Sequence, residues 1–448
     1  MRNRRVLALL VILLFSATSA MAGGFRIPEA GAKAMGMGFA FTAQADDPSA
    51  IYFNPAGIMQ LEGDNLKVGM TYIKANGATF SGITPLTGGA SVSETQKDLD
   101  FFVPTMFITR KASPNFAYGV GIFSPFGLGQ EYENRNTSIF RNQITKIDLM
   151  TLVVNPTVAY KVNDLLSVGA GIDFMYGRAK LSRTPVGIDS ATGFPANLYN
   201  ADLDGDGTAW GFNIGMLVTP TKQLKIGVAF RSKFDLDIDD GDLHLGSVFP
   251  GSIIVSPGPP PVALPPQGPA PIGFGGPTFN TTASTTVHIP ATLDLGVAYI
   301  LDRLTLEVDA SFTFWSSFKS LDIDNNDNRV FLPDTASPKN WDDVVAIYVG
   351  GEYRVTDPLA LRLGFRYDPT PVPAETMGPE LPDSDKLYYC AGAGYKVNQW
   401  TFDLAYMYVD KKDRTVNNLR TEAGIPVGFD GEWTGDSHLV AFDVGYKF

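Results

Sequence analysis

Stretches of about ten residues, in which apolar side chains alternate with polar or small ones, recur along this chain of 448 residues. Apolar residues occupy the odd positions of 359–367 and the even positions of 304–314 and 400–408. A period of two is the period of a β-strand and not of a helix. About ten residues, with aromatic residues towards the ends, is typical of a tilted strand that crosses a lipid bilayer. The pattern therefore predicts an all-β membrane protein.

The side chains on the face opposite the apolar residues are small or acidic. Glycine and alanine are frequent there, and carboxylates stand in mid-strand at Asp173, Asp294, Glu307, Asp309, Asp403 and Asp443. A half-buried strand of a soluble sandwich gives the same alternation, but a polar face of small residues suits the inside of a barrel better. Short turns such as 163–164 and 302–303 also alternate with long polar connections, as in outer-membrane barrels.

Fourteen alternating stretches can be counted, and an even number lets an antiparallel barrel close with both chain ends on one side of the membrane. We predict strands near 65–75, 98–110, 116–129, 147–161, 166–179, 208–219, 223–235, 287–300, 304–316, 342–355, 359–369, 386–397, 399–410 and 438–448. The last stretch ends on Phe448, which resembles the recognition signal that bacterial barrel-assembly machinery reads. The predicted fold is a 14-stranded antiparallel transmembrane β-barrel formed by residues 64–448.

Residues 1–22 have the three parts of a secretory signal peptide, namely an arginine-rich start, the apolar run 6–15 and the cleavage site Ala20-Met21-Ala22. We expect cleavage to leave Gly23 as the first residue and the protein to reach the bacterial outer membrane. No later apolar run approaches the ~18 residues of a membrane-spanning helix. The formal net charge of −12 is a poor match for nucleic acid, and the single cysteine excludes a disulfide framework.

Residues 23–63 do not alternate and are rich in glycine and alanine. Side chains fill a barrel of eight strands, whereas sixteen or more strands leave an aqueous channel. A barrel of fourteen strands should therefore contain a hole that something must block. We predict that residues 23–63 form an N-terminal hatch that plugs the barrel, and the alternative is a disordered arm.

Several motifs, in a consistent order along the chain, resemble the FadL family of outer-membrane transporters for long-chain fatty acids and hydrocarbons. Asn54-Pro55-Ala56 matches the hatch signature, Ser124–Leu128 matches the motif of the third strand, and Phe365–Pro373 matches a later segment. The resemblance runs from Gly23 to Phe448 and implies a passive channel with an apolar pocket inside the barrel. It also implies a kink in the third strand that opens sideways into outer-membrane lipid and lipopolysaccharide.

The residues of the third predicted strand favour the same place for an opening. Pro125 has no N–H to donate to a strand ladder, and glycine follows at positions 127 and 129. We predict a lateral opening at Ser124, Pro125, Phe126 and Gly127. The alternative is a strand that simply ends at Phe123.

The candidate ligand-binding residues are large side chains expected inside the barrel and arginines that could pair with a carboxylate: Met106, Phe123, Met175, Arg178, Tyr348, Arg362, Arg366, Tyr388 and Met407. Ile108 shares the predicted face of Met106, although either face of that strand could point inward. Arg178 lies in a Tyr-x-Arg-Ala-Lys sequence that is similar to the family's, but the alternation of its strand places it on the lipid side. A fatty acid is the favoured cargo, and a neutral hydrocarbon is favoured if no cation meets the carboxylate.

Asp202, Asp204 and Asp206 resemble the start of a calcium loop, because oxygen ligands stand at alternate positions. The bidentate glutamate of such a loop is missing, so an acidic turn is the preferred interpretation, with no metal and no cofactor. The sequence contains no catalytic motif, which predicts a non-enzymatic, monomeric channel for passive uptake of hydrophobic molecules. The alternatives are a structural or adhesive barrel that transports nothing, and a general aqueous porin.

Overall fold

The computed structural model describes residues 23–184, 186–188, 195–197, 199–247, 278–326, 335–422 and 425–448. The predicted signal peptide at 1–22 lies outside the described residues. No helix in the described part of the chain is long and apolar enough to span a membrane.

The described chain is almost entirely strand. Its two short helices are α1 (Ala32–Gly36) and α2 (Ala50–Phe53), and four 3₁₀ turns cover Pro55–Gln60, Pro85–Thr87, Trp315–Ser317 and Ala374–Thr376. The strands are β1 (Asp64–Ala75), β2 (Thr79–Ile83), β3 (Val92–Thr95), β4 (Leu99–Ser113), β5 (Phe116–Phe123), β6 (Gly127–Glu131), β7 (Lys146–Lys161), β8 (Leu166–Arg183), β9 (Val186–Ile188), β10 (Pro195–Asn197), β11 (Tyr199–Val218), β12 (Leu224–Arg231), β13 (Phe234–Ser247), β14 (Thr278–Ile289), β15 (Thr292–Leu301), β16 (Leu304–Thr313), β17 (Ser320–Asn325), β18 (Thr335–Pro338), β19 (Val344–Arg354), β20 (Leu359–Asp368), β21 (Lys386–Val397), β22 (Trp400–Asn417), β23 (Arg420–Glu422), β24 (Ile425–Val427) and β25 (Asp430–Lys447).

Fourteen antiparallel wall strands close into a barrel, as predicted. Seven of them consist of two segments separated by a bend or a break, namely β1 with β2, β3 with β4, β5 with β6, β12 with β13, β14 with β15, β16 with β17 and β18 with β19. The barrel closes where β1 pairs with the last strand β25, with Met70 opposite Phe442.

The alternation of the sequence divides the wall into a lipid face and an inner face. On β20, Leu361, Leu363 and Phe365 are exposed on the outside, whereas Arg362 and Arg366 are buried inside. Exposed and buried residues alternate in the same way along the other wall strands. Apolar side chains therefore face lipid, and small or acidic side chains face inward. The inner face is therefore available to hold residues 23–63.

Several strands run further than predicted. β11 begins at Tyr199, β13 ends at Ser247, and β25 begins at Asp430. The extra pairs, such as Asp202 opposite His244, lie beyond the apolar part of the wall, where the outward residues are polar. Hydrophobic alternation fades there although the backbone ladder continues, so the sequence pattern stops short of the strand ends.

Residues 23–63, called here the N-terminal segment, lie inside the barrel. A Cβ added to Gly215 of β11 would come within 2.2 Å of the Asn54 Oδ1. One added to Gly364 of β20 would lie 2.0 Å from the backbone nitrogen of Gly38. The glycines of the inner face therefore let the segment touch the wall backbone on different sides of the barrel.

Candidate functional site

Two carboxylates of one wall strand hold a turn of the N-terminal segment. Asp309 on β16 accepts hydrogen bonds from the backbone N–H groups of Phe41 (3.0 Å) and Thr42 (2.9 Å). Glu307, two residues earlier on the same face, accepts from Ala43 (2.6 Å) and Gln44 (2.9 Å). The mid-strand acidic residues of the sequence thus bind four successive backbone donors that would otherwise be buried without partners.

Buried ion pairs also join the segment to the wall. The Lys67 Nζ lies 2.7 Å from Asp47 of the segment and 2.8 Å from Asp443 of β25. Arg362 pairs with Glu352 and Asp403, each at 2.7 Å. Lys67 therefore joins the segment to the wall, whereas both carboxylate partners of Arg362 belong to the wall itself.

The signature Asn54-Pro55-Ala56 is a wall contact. The Asn54 amide donates to the carbonyl oxygens of Thr42 (2.8 Å) and of Met216 on β11 (3.0 Å), while its side-chain oxygen accepts from Ala56 N–H (3.2 Å). Pro55 starts the 3₁₀ turn, where a missing N–H costs nothing. The motif therefore fastens the end of the segment to the sixth wall strand.

The wall is interrupted between its second and third strands. β5 ends at Phe123, β6 begins at Gly127, and the ladder between β4 and β5 stops at Met106 opposite Ile122. Residues 99–105 of β4 pair with β1 on one edge. Within 23–184, which is described without a gap, they have no strand partner on the other edge. Pairing of the second and third wall strands resumes at Gln96 and Tyr132. The interruption lies where Pro125 predicts it, and a second proline, Pro104, stands in the stretch of β4 that pairs with β1 alone.

The first described residues fill part of this interruption. Gly23–Ile27, called here the N-terminal arm, pairs with the bend of the third strand, because Ile27 N–H donates to Pro125 (2.8 Å) and Gly127 N–H donates to Phe25 (2.9 Å). Arg26 and Phe126 are direct antiparallel partners in this bridge. The arm thus forms a single antiparallel β-bridge with the third strand at its bend.

Aromatic packing and two acidic groups hold the arm. The Phe25 ring lies 4.7 Å from Trp315, 5.6 Å from Trp341 and 6.0 Å from Phe126, measured between ring centroids. The Gly23 N–H donates to Asp368 at 2.8 Å, and the Gly24 N–H donates to Asp383 at 3.3 Å. The arm is therefore bound by reversible contacts along its whole length.

A cavity of about 30 Å³ lies beside the arm. This volume holds about two water molecules. The lining combines aromatic and polar side chains from the arm, the segment and the wall, including Arg26, Phe39, Tyr52, Pro125, Phe126, Phe230, Arg231, Asp294 and Tyr348. The same cavity therefore borders both the predicted opening and the N-terminal segment.

Two buried arginines line the cavity, and neither was a predicted ligand residue. Arg26 donates from Nη1 to the hydroxyls of Ser311 (2.7 Å) and Thr313 (3.3 Å), and its Nη2 lies 3.5 Å from Asp294. Arg231 pairs with Asp173 at 2.5 Å. Arg231 ends an alternating strand on its inner face, so the alternation alone was enough to place it inside.

Five predicted ligand residues point inward and are buried as expected: Phe123, Met175, Tyr348, Tyr388 and Met407. Of these, Tyr348 lines the cavity. Met106 and Ile108 were assigned to the wrong face, because Phe107 between them is fully buried and Ile108 is exposed to lipid. Residues 101–103 are apolar on both faces of the strand, so the sequence does not show which face points inward.

The three predicted arginines have different surroundings. Arg178 is on the outside of β8, paired with Asp204 at 2.7 Å, so its assignment to a lumenal ligand site was wrong. Arg366 is buried between the rings of Tyr348 (4.8 Å) and Tyr388 (4.5 Å) and pairs with Asp368. Its Nε and Nη1 have no hydrogen-bond partner among the described residues. Arg366 does not line the cavity, but it packs against Tyr348, which does.

The predicted acidic turn and calcium candidate at Asp202, Asp204 and Asp206 is a continuous strand, β11. Asp202 pairs with Arg135 at 3.1 Å, and Asp204 pairs with Arg178 and with Lys180 at 3.0 Å. In the described ranges, no three His, Cys, Asp or Glu side chains are grouped to hold a metal ion. The calcium-loop interpretation is therefore wrong, because an extended strand does not wrap its side chains around an ion.

Comparison with known proteins gives consistent matches along the chain. The family described as "Outer membrane protein transport protein (OMPP1/FadL/TodX)" matches residues 13–448. The long-chain fatty acid transport protein of Escherichia coli O6:H1 is 27% identical, over 98% of both chains. Outer membrane protein P1 of Haemophilus influenzae is 24% identical, over 100% of this chain and 99% of that protein.

Solved structures show the same fold. A Pseudomonas aeruginosa FadL homologue aligns with a TM-score of 0.75 at 22% identity, over 95% of this chain and 100% of that chain. The Pseudomonas putida toluene transporter TodX aligns with a TM-score of 0.66 at 16% identity, over 94% and 98% of the two chains. With the closed barrel and the match over 13–448, the protein is a bacterial outer-membrane β-barrel that belongs to the OMPP1/FadL/TodX family of transport proteins.

Proposed function

We propose that this protein is a passive channel that takes up long-chain fatty acids or hydrocarbons, with residues 23–63 as its hatch. The relatives named above transport long-chain fatty acids and toluene, and both cargoes are hydrophobic. In the proposed route, cargo enters the barrel from outside, passes the cavity beside the N-terminal arm and leaves sideways into the membrane. The exit is the interruption at Ser124, Pro125, Phe126 and Gly127.

The observation that carries this proposal is that the arm, and not the second wall strand, pairs with the third strand at its bend, at 125–127. Backbone N–H and C=O groups that face lipid without partners cost several kcal/mol each. The arm supplies two backbone hydrogen bonds to 125–127 and packs the Phe25 ring against Phe126 of the bend. Movement of five residues would therefore open the wall, whereas separation of two full wall strands would break a long ladder.

A reversible cross-link tests this route. Arg26 and Phe126 are antiparallel partners flanked by the two hydrogen bonds, which is the close type of pair that a disulfide can span. The double variant Arg26→Cys with Phe126→Cys should take up a neutral radiolabelled alkane when reduced and lose this uptake when oxidised. The neutral cargo removes any dependence on the charge of Arg26.

The single variant Phe126→Cys is the matched control, and the native Cys390 is buried and far along the chain. Replacement of 124–129 by an alternating strand sequence is a second test, and it should abolish uptake while the barrel still assembles. Equal uptake by the oxidised and reduced double variant would remove the arm and the gap from the route.

A further inference from the structure

We propose that the barrel has a second lateral opening, between its eighth and ninth wall strands, through which hydrophobic cargo enters from the headgroup layer of the outer leaflet. The eighth wall strand is β14 with β15, and the ninth is β16 with β17. This inference rests on the proposed function, to whose route it adds an entrance. An interruption in backbone pairing, the rings that fill it and the polar side chains around it carry the inference.

Backbone pairing between these two strands is interrupted. β15 pairs with β16 over its whole length, whereas β14 pairs with β17 at 283–284. Between these points, the described ranges 285–290 and 315–323 form no backbone pairs with each other, and the Thr285 hydroxyl donates to the carbonyl oxygen of Asp322 (2.7 Å). A bulge adds one unpaired residue to a strand, so this second interruption is a longer break in the ladder.

Each side of the second interruption has a local cause. Pro290 has no N–H to donate to a ladder, as Pro125 has none at the interruption beside the arm. On the other side, the 3₁₀ turn Trp315–Ser317 leaves the strand. The Trp315 side chain is fully buried, whereas Phe314 before it is exposed to lipid. The ninth strand therefore bends into the lumen at this turn.

Aromatic rings close the second interruption from the inside. Trp315 and Phe318 pack on Trp341, which lies between β18 and β19, with ring centroids 4.8 and 4.9 Å apart, and all three are buried. The Phe25 ring of the arm lies 4.7–5.6 Å from the same three rings. Phe25 also packs against Phe126, so the arm contacts both interruptions of the wall.

The indole N–H groups of this aromatic cluster have no acceptors. The Nε1 atoms of Trp315 and Trp341 are buried without a hydrogen-bond partner among the described residues. A buried indole N–H usually finds an acceptor, so these two donors make the closed arrangement less stable. Water or a polar end of the cargo can satisfy both donors once the rings separate, which favours opening.

The two interruptions face different layers of the membrane. The outward side chains beside the interruption at the arm are apolar, namely Phe102, Met150 and Leu152. Those beside the second interruption, beyond Phe314, are polar, namely Thr286, His288, Ser316 and Lys319. An apolar outer band marks the hydrocarbon layer, and polar side chains beyond it mark the headgroup layer. The second interruption lies at the end of β16 away from the short turn 302–303, which places it on the outer side of the membrane.

This difference gives the two interruptions different roles. A hydrophobic molecule lowers its free energy by passing from the headgroup layer into apolar surroundings, so it enters at the second interruption and leaves at the one that faces hydrocarbon. Backbone groups that face hydrocarbon need protein partners, whereas those at headgroup level can bond with water. The arm accordingly gives backbone hydrogen bonds to 125–127 but side-chain contacts to the second interruption.

Photolabelling of the full-length protein tests this entrance. The protein, in vesicles of phospholipid with lipopolysaccharide, is irradiated with a hexadecane that carries a diazirine, and the labelled residues are identified by mass spectrometry. Ile289 and Phe318, on the two sides of the second interruption, are buried from lipid and should be labelled. Excess unlabelled hexadecane should remove this label. Leu363, on the lipid face of β20, should keep its label, because the bilayer around it does not saturate.

Two variants separate the entrance from the interruption at the arm. Phe25→Ala removes the ring that covers the cluster and should raise the label at Ile289 and Phe318 severalfold. Phe365→Ala, on the lipid face, is the matched control and should leave that label unchanged. Replacement of 124–129 by an alternating strand sequence closes the interruption at the arm. Uptake should then be lost while the label at Ile289 and Phe318 persists.

Competed label at 123–127 of the parent, without label at Ile289 and Phe318, would overturn the inference and leave the proposed function standing. Loss of the label at these two residues on replacement of 124–129 would do the same, because both would then be reached only from the other interruption. A parent protein that shows no competed label at either interruption would instead refute the proposed function itself.

Discussion

The Asp309 carboxylate on the barrel wall accepts the backbone N–H of Thr42 at 2.9 Å, across a sequence separation of 267 residues. With Glu307 it binds four successive backbone donors of the N-terminal segment. Acidic residues on the inside of this barrel therefore serve as acceptors for a folded segment, which explains why they stand in mid-strand. Substitutions of these wall residues should therefore change how tightly the N-terminal segment is bound.

Asp309→Asn should loosen the segment. The N–H groups of Phe41 and Thr42 both donate to the same carboxylate oxygen, Oδ2, and an uncharged amide oxygen in its place is a weaker acceptor, so about 1 kcal/mol is lost for each of the two bonds. Hydrogen exchange of residues 23–63 should become faster while the barrel stays assembled. Asp206→Asn, on the exposed face of β11, is the control and should leave exchange unchanged.

Deletion of residues 23–60 should raise ion conductance sharply in planar bilayers. The deleted residues are almost all buried inside the barrel, and without them a wall of fourteen strands encloses an open lumen. Single-channel recording of the refolded variant measures the effect. Conductance equal to that of the parent would mean that residues 23–60 do not plug the barrel.

Gly215→Val should displace the end of the segment from the wall. Its Cβ would stand 2.2 Å from the Asn54 Oδ1 and 2.7 Å from Pro55, so either the signature turn or the sixth wall strand must shift. Protease sensitivity near residues 54–60 should increase. Gly246→Val is the matched control, because no atom lies within 4 Å of the added Cβ there, and sensitivity should stay at the parent level.

Glu29→Gln should stabilise the segment at high pH. Glu29 belongs to the N-terminal segment, and burial raises its pKa from 4.5 to about 7. An acid with a raised pKa favours its protonated form in the folded state, so stability is highest below pH 4.5 and falls as the pH rises through 7.

The difference in pKa limits the gain from Glu29→Gln to about 3 kcal/mol at pH 8, and at pH 4 the gain should vanish. Hydrogen exchange of residues 23–63 at the two pH values measures it. A gain of equal size at both would show that ionisation of Glu29 is not its source.

The amino-acid sequence by itself determined the architecture of this protein. Alternation at period two is a local property of each strand, because it records which side chains meet lipid and which do not. The alternation therefore predicted the fourteen strands and the inward direction of Arg362 and Arg366. The interruption was predicted from Pro125, because a residue without an N–H cannot donate to the strand ladder. The alternation failed for Met106, whose strand is apolar on both faces, and at Asp202, where a polar strand continues without a hydrophobic signal.

Only the tertiary structure decided which inner groups meet. Pairing of Arg26 with Phe126, of Asp309 with Thr42 and of Gly215 with Asn54 joins residues that no periodicity connects. These contacts depend on the register with which fourteen strands close and on the path of 41 residues through the barrel. Both are set by the packing of distant parts of the chain, because a side chain's inward direction does not determine which residue faces it across the lumen.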